Sequence, residues 1–310
     1  MSSEAFEVAE QATLITEESD AILLPEPSSV GGGSKVLGWL RLFIAPLIVF
    51  TVFIAVWYLL SWRLLPVVLG RDSPPEFLRA IILPYPHEVV KVAFLDPTNL
   101  TDILSGLWLD MRLAGIGLAI AIVIGVSTAI AMSQARWVER SFYPYAVFLQ
   151  TVPILALVPA IGLFLGFGFS ARLLVVVIIS LFPIITNTLF GLKSTDLELH
   201  DLFTLHTKSR WVRLWKLQLP GSIPAMFIGF QIAAGLSVIG AIVGDFFFGR
   251  GEKGLGNLID LYSNRLRPAE LWGAVFFSTL LGLFVFVAFG WLRIRLTGHW
   301  HESARAGKET

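Results

Sequence analysis

Six stretches of this chain stay apolar for about 20 residues each, and that run length limits what it can fold into. The runs fall at 42–62, 113–132, 145–167, 173–192, 225–247 and 271–291. A helix of that length crosses the hydrocarbon core of a bilayer. With no water to satisfy backbone polar groups there, a spanning segment must bond its own N–H and C=O groups, as a helix does. The expected fold is all-α and integral to a membrane, with six transmembrane helices. Composition agrees, since charged residues make up 15% of the chain against about 25% in an ordinary soluble domain.

Several function classes drop out early. Lys plus Arg equals Asp plus Glu, so nothing favours nucleic acid as a partner. There is no cysteine, which removes disulfides, thiolate catalysis and cysteine-ligated metals. His200 and His206 are six apart and fall on different helix faces, while His299 and His301 lie in a polar tail. No metal site is expected.

Three regions are expected along the chain. Residues 1–38 form a disordered acidic tail, with Glu4, Glu7, Glu10, Glu17, Glu18, Asp20 and Glu26 ahead of a Gly31 to Gly33 run. The tail lacks the positive start of a signal peptide. Residues 39–295 carry the six spans, and 296–310 form a short polar tail. Between the first two spans, Pro66, Pro74, Pro75, Pro84, Pro86 and Pro97 predict loop and short helices. Pro153 and Pro159 in the third span and Pro183 in the fourth predict kinks, which a bundle tolerates when neighbours satisfy the freed carbonyls. Gly117, Ala121, Gly125 and Ala129, and likewise Gly229, Ala233, Ser237 and Ala241, recur every four residues. Such small-residue stripes let membrane helices pack closely.

The segment 193–220 is too polar to span and too regular for a plain loop. Leu199, Leu202, Phe203 and His206 share one helical face, and Trp211, Leu214, Trp215 and Gln218 resume the spacing after a break. We read a short helix, a turn and a second helix, ended by Leu219, Pro220 and Pro224. Lys208, Arg210, Arg213 and Lys216 crowd this segment, and Arg293 and Arg295 flank the last span. With both termini and this segment in the cytoplasm, 13 Lys/Arg lie inside and 10 outside, in the sense of the positive-inside rule.

Asp201, Leu202 and Phe203, then Thr207 and finally Leu219 and Pro220, resemble the EAA loop of ABC importer permeases. Asp201 stands on that loop's Glu, Leu202 and Phe203 on its two alanines, and Thr207 on its glycine. Leu157, Val158 and Pro159, with Phe164 to Gly168 and Arg172, resemble the Leu-Ala-Pro, Trp-Phe-Gly-x-Gly and Lys stretch of the nitrate/sulfonate/taurine-type branch. Gly244, Asp245, Phe246 and Phe247, with Gly254, Leu255 and Gly256, resemble that branch's Ala-Glu-Phe-Phe and Gly-Leu-Gly. The branch includes permeases for pyrimidine precursors of thiamine and for riboflavin.

The resemblance implies a type I importer fold in a bacterial inner membrane. It also implies a homodimer or paired permease, two ATP-binding subunits and an external solute-binding protein. The chain would be a transport subunit rather than an enzyme. Asp201, Leu202, Phe203, Thr207, Trp211, Leu219 and Pro220 would couple it to the ATPase. ATP and magnesium would belong to that partner, because no Gly-x-x-x-x-Gly-Lys-Ser/Thr motif occurs here. Gly249 to Gly254 matches Gly-x-Gly-x-x-Gly, but no strand precedes it, and we read a flexible outer turn. Gln150, Thr151, Asn187, Gln231 and Asp245 are candidates for the translocation path. Asp245 is the main charge expected inside a span. The competing class is a secondary transporter driven by an ion gradient, which favours charged residues at mid-membrane.

Overall fold

The computed structural model describes residues 35–64, 82–206 and 209–297. The expected acidic tail up to residue 34, Thr207, Lys208 and the tail from residue 298 lie outside the described residues. The chain divides into two compact units, Met1–Trp57 and Tyr58–Thr310. Helix α1 (Lys35–Leu59) supplies what is described of the first and passes into a π-helical turn, Leu60–Leu64.

The described elements of the second unit are all helices, joined by short turns. The unit contains α2 (Pro86–Phe94), α3 (Pro97–Gln134), α4 (Arg136–Thr151), α5 (Ile154–Leu165), α6 (Phe169–Lys193) and α7 (Leu197–His206). These are followed by α8 (Arg210–Arg213), a π-helical turn at Leu214–Gln218, α9 (Leu219–Phe247), α10 (Leu255–Asn264) and α11 (Pro268–Thr297). Among the described residues, five helices are long and apolar enough to cross a membrane, and α4 with α5 makes a sixth span if the bent pair counts as one.

Helix α6 is the centre of this unit, because both small-residue stripes face it. A Cβ added to Gly117 or Gly125 of α3 would run into Val176 or Ile184. From α9, Gly229 lies against the Pro183 carbonyl and Asn187, Gly240 against Val176 and Gly244 against Arg172. The pairings fix direction: numbers rise together along α3 and α6 and oppose along α6 and α9. Gly290 of α11 approaches Gln231 of α9, and Gly282 approaches Val238, so α11 runs against α9 as well. Ala121, Ala129, Ala233 and Ala241 are completely buried, as close packing on small residues requires.

Three expected boundaries change. The second span begins at Pro97, not near residue 113, with Asp96 accepting hydrogen bonds from the backbone N–H groups of Thr98 and Asn99 as its cap. Its 38 residues rise about 57 Å at about 1.5 Å each, well beyond a hydrocarbon core of about 30 Å. The helix is therefore longer than the core it would cross.

The third expected span is two helices meeting at 101°. Val152 is extended (φ −66°, ψ 125°) ahead of Pro153, the conformation that a following proline imposes. Pro159 and Pro183, in contrast, are carried inside helices.

Leu219 and Pro220 do not end the polar segment. The chain from Arg210 to Phe247 is one continuous helical run, and Pro220 sits in the first turn of α9. The backbone N–H of Leu219 bonds to the carbonyl of Leu214 in a π-helical step, which absorbs the proline's missing donor without breaking the rod.

Candidate functional site

Two features of this bundle carry chemistry, one at each end of α9. At its start, α8 and the π-helical turn continue the helix into the polar segment. Leu214 is 1% exposed and anchors the turn, while Trp211 and Trp215 are about two-thirds exposed and face away from the protein. On α7, Asp201 and Leu202 are exposed and Phe203 is half-buried. Leu219 and Pro220 are half-buried at the head of α9. Thr207 lies outside the described residues. Exposed tryptophans and leucines on a segment too polar to enter lipid mark a surface suited to another protein.

At the opposite end of α9 lies a buried ion cluster that sequence reading missed. Arg172, on the first turn of α6, is 2% exposed, and Asp245, near the end of α9, is fully buried. Their Nη1 and Oδ1 atoms are 2.6 Å apart. The guanidinium N–H groups point elsewhere: Nε donates to the Phe248 carbonyl (2.8 Å), Nη1 to the Glu252 carbonyl (2.9 Å) and Nη2 to the Arg250 carbonyl (3.0 Å). Among the described residues, Asp245 Oδ1 accepts no aligned hydrogen bond. Its contact with Arg172 is thus ionic, and its Oδ2 accepts from the Asn257 N–H.

Asp110 of α3, also fully buried, accepts the Leu255 N–H through Oδ2 at 2.9 Å. Both carboxylates close on Gly254, where an added Cβ would meet Asp110 Oδ1 at 2.6 Å and Asp245 Oδ2 at 2.7 Å. Only glycine fits there. The turn at residues 249–254 is therefore pinned by three helices, not flexible as its glycines suggested. Gly251, at φ 100°, supplies the left-handed residue the turn needs. Tyr262, on α10 beyond the turn, is buried, and that burial, with Asp102 nearby, pushes its phenol above the usual range.

The path candidates are not gathered at one place. Gln150 and Thr151 are exposed at the end of α4, and Thr151 donates to the Phe148 carbonyl. Asn187 is half-buried against Gly229 and donates to the Pro183 carbonyl. Gln231 is half-buried and faces Gly290 of α11. Two residues turn a helix by about 200°, so Gly229 and Gln231 look to opposite sides of α9. Asp245, the fifth path candidate, is buried against Arg172 and the N–H of Asn257.

The stretches that resembled the importer branch, around Arg172, around Asp245 and at Gly254 to Gly256, meet in this cluster. Residues 121–297 match the binding-protein-dependent transport system inner membrane component family. The chain belongs to that family. The permease is 32% identical over 209 residues to the formylaminopyrimidine transport permease protein of Halalkalibacterium halodurans, covering 67% of this chain and 81% of that one. It is 30% identical over 171 residues to the riboflavin transport system permease protein of Chloroflexus aurantiacus, covering 55% and 63%. It is 21% identical over 266 residues to the nitrate import permease protein of Synechococcus elongatus, covering 84% and 93%. The importer reading therefore holds against the secondary transporter, and the permease is a transport subunit of the membrane.

Proposed function

We propose that the permease forms the translocation path of an ATP-driven importer, working as a homodimer with two ATP-binding subunits and an external solute-binding protein. The observation that carries this reading is the unbroken helix from Arg210 to Phe247. Its start presents Trp211 and Trp215 outward, and its body packs along α6. An ATP-binding subunit gripping α7 and α8, through Asp201, Leu202, Phe203, Thr207 and Trp211, would move α9 as a rod, with Leu219 and Pro220 at the join. ATP hydrolysis belongs to that partner. The chain sits in the bacterial inner membrane with both termini in the cytoplasm, which puts the pinned turn at the outer face.

The solute is a small polar molecule delivered from outside, and a pyrimidine or vitamin precursor is favoured over a sulfonate or nitrate. Arg172 is the cation buried within the described spans, and its donors are committed to carbonyls. An anion therefore finds no free partner there. Gln150, Thr151, Asn187 and Gln231 supply uncharged hydrogen-bonding groups as candidates for the path.

Asp201→Lys and Phe203→Asp test the grip. Both side chains belong to a polar helix outside the spans, so the variants are expected to reach the membrane at normal levels. Uptake of radiolabelled solute should fall to background, and co-purification of the ATP-binding subunit should be lost. Normal uptake in both variants would remove α7 from the coupling surface.

A further inference from the structure

A cavity of about 660 Å³ opens where α3 ends, α4 begins and α6 ends, lined in part by Arg136, Glu139, Arg140, Tyr143 and Lys193. Arg136, Arg140 and Tyr143 are spaced four and three apart, which puts them on one face of α4. Glu139 is paired with Lys193 of α6. Among the described residues, neither arginine has an acidic partner, so the cavity holds three cations against one anion. Side chains of like charge gathered at one mouth repel one another, and an anion between them relieves that repulsion.

Position says which anion. Gln134 and Lys193 are the last residues of two spanning helices on the same side, so the cavity lies at the level where lipid headgroups begin. Trp137 and Tyr145 on α4 are about 70% exposed and Phe142 about half, in the manner of aromatic residues that sit among headgroups. The volume falls within the roughly 300–1,000 Å³ of small-ligand sites.

We propose that this cavity binds the phosphate of an anionic phospholipid, held by Arg136 and Arg140 and hydrogen-bonded by Tyr143, between α4 and the end of α6. The site requires only that the chain spans a membrane, so it stands apart from the solute and from the ATP-binding partner.

The test uses full-length chain in a neutral detergent, with phosphatidylglycerol, phosphatidylcholine or inorganic phosphate added, read by native mass spectrometry and thermal unfolding. Wild-type protein should hold phosphatidylglycerol about 10- to 30-fold more tightly than phosphatidylcholine. R136Q/R140Q should lose that preference while melting normally in phosphatidylcholine, and R136K/R140K should keep most of it. Absence of a preference in the wild type, or its persistence in R136Q/R140Q, would overturn the proposal. If millimolar phosphate stabilises the protein and displaces phosphatidylglycerol completely, the ligand is a free anion, and the lipid assignment fails. The wild-type comparison decides the matter even if the double variant does not fold.

Discussion

Arg172→Leu is expected to destabilise the bundle more than any single change on its surface. The substitution removes the cation beside Asp245 and the donors to the carbonyls of Phe248, Arg250 and Glu252. Breaking a buried pair from one side costs about 3–5 kcal/mol, because the surviving charge stays desolvated and alone. A fall in melting temperature of roughly 10 °C is expected in detergent, with little protein reaching the membrane. Arg172→Lys should recover only part of this, because one ammonium cannot spread its donors over three separated carbonyls as the planar guanidinium does. Removing the orphaned charge as well, in Arg172→Leu with Asp245→Leu, should be better tolerated than Arg172→Leu alone. A single leucine variant that melts like the wild type would show that the cluster contributes nothing to holding α3, α6 and α9 together.

Inserting two glycines between Gln218 and Leu219 is expected to abolish transport while leaving the partner bound. The rod from Arg210 to Phe247 transmits motion only if its parts turn together. Two extra residues rotate Trp211 and Trp215 by about 200° relative to α9, and each glycine weakens the helix by about 1 kcal/mol. The α7 surface is untouched, so the ATP-binding subunit should still co-purify. Uptake should drop to background, and solute should no longer stimulate ATP hydrolysis. Uptake at the wild-type rate would mean that the segment holds the partner without pulling on α9.

The spans were legible because apolar run length is a direct consequence of bilayer thickness. The stripes on α3 and α9 were legible as close-packing faces, though nothing in the sequence said that both converge on α6. The charged ends of spans were not legible. A search for apolar runs stops at Asp110, Arg112 and Arg172, since each costs too much in lipid. It cannot see that Asp110 and Arg172 are enclosed by backbone groups more than 70 residues away in the chain. The nearest signal was Arg172, Asp245 and Gly254 appearing together in the stretches used to mark the importer branch. For the same reason Asp245 read as a lone charge beside a path. The sharp bend at Pro153 and the smooth passage through Pro183 also look alike in sequence. A proline frees a carbonyl wherever it sits, and whether the helix breaks depends on the neighbours packed around it.

Because the chain has no cysteine, one introduced thiol can report the side of the membrane on which α8 lies, and on that the coupling account depends. Trp215→Cys places it on a side chain that is 66% exposed. The account predicts that a membrane-impermeant maleimide labels this position in inverted inner-membrane vesicles and not in intact cells, and that a co-expressed ATP-binding subunit protects it. Labelling from outside in intact cells would contradict the account, because no cytoplasmic ATPase could then reach the segment.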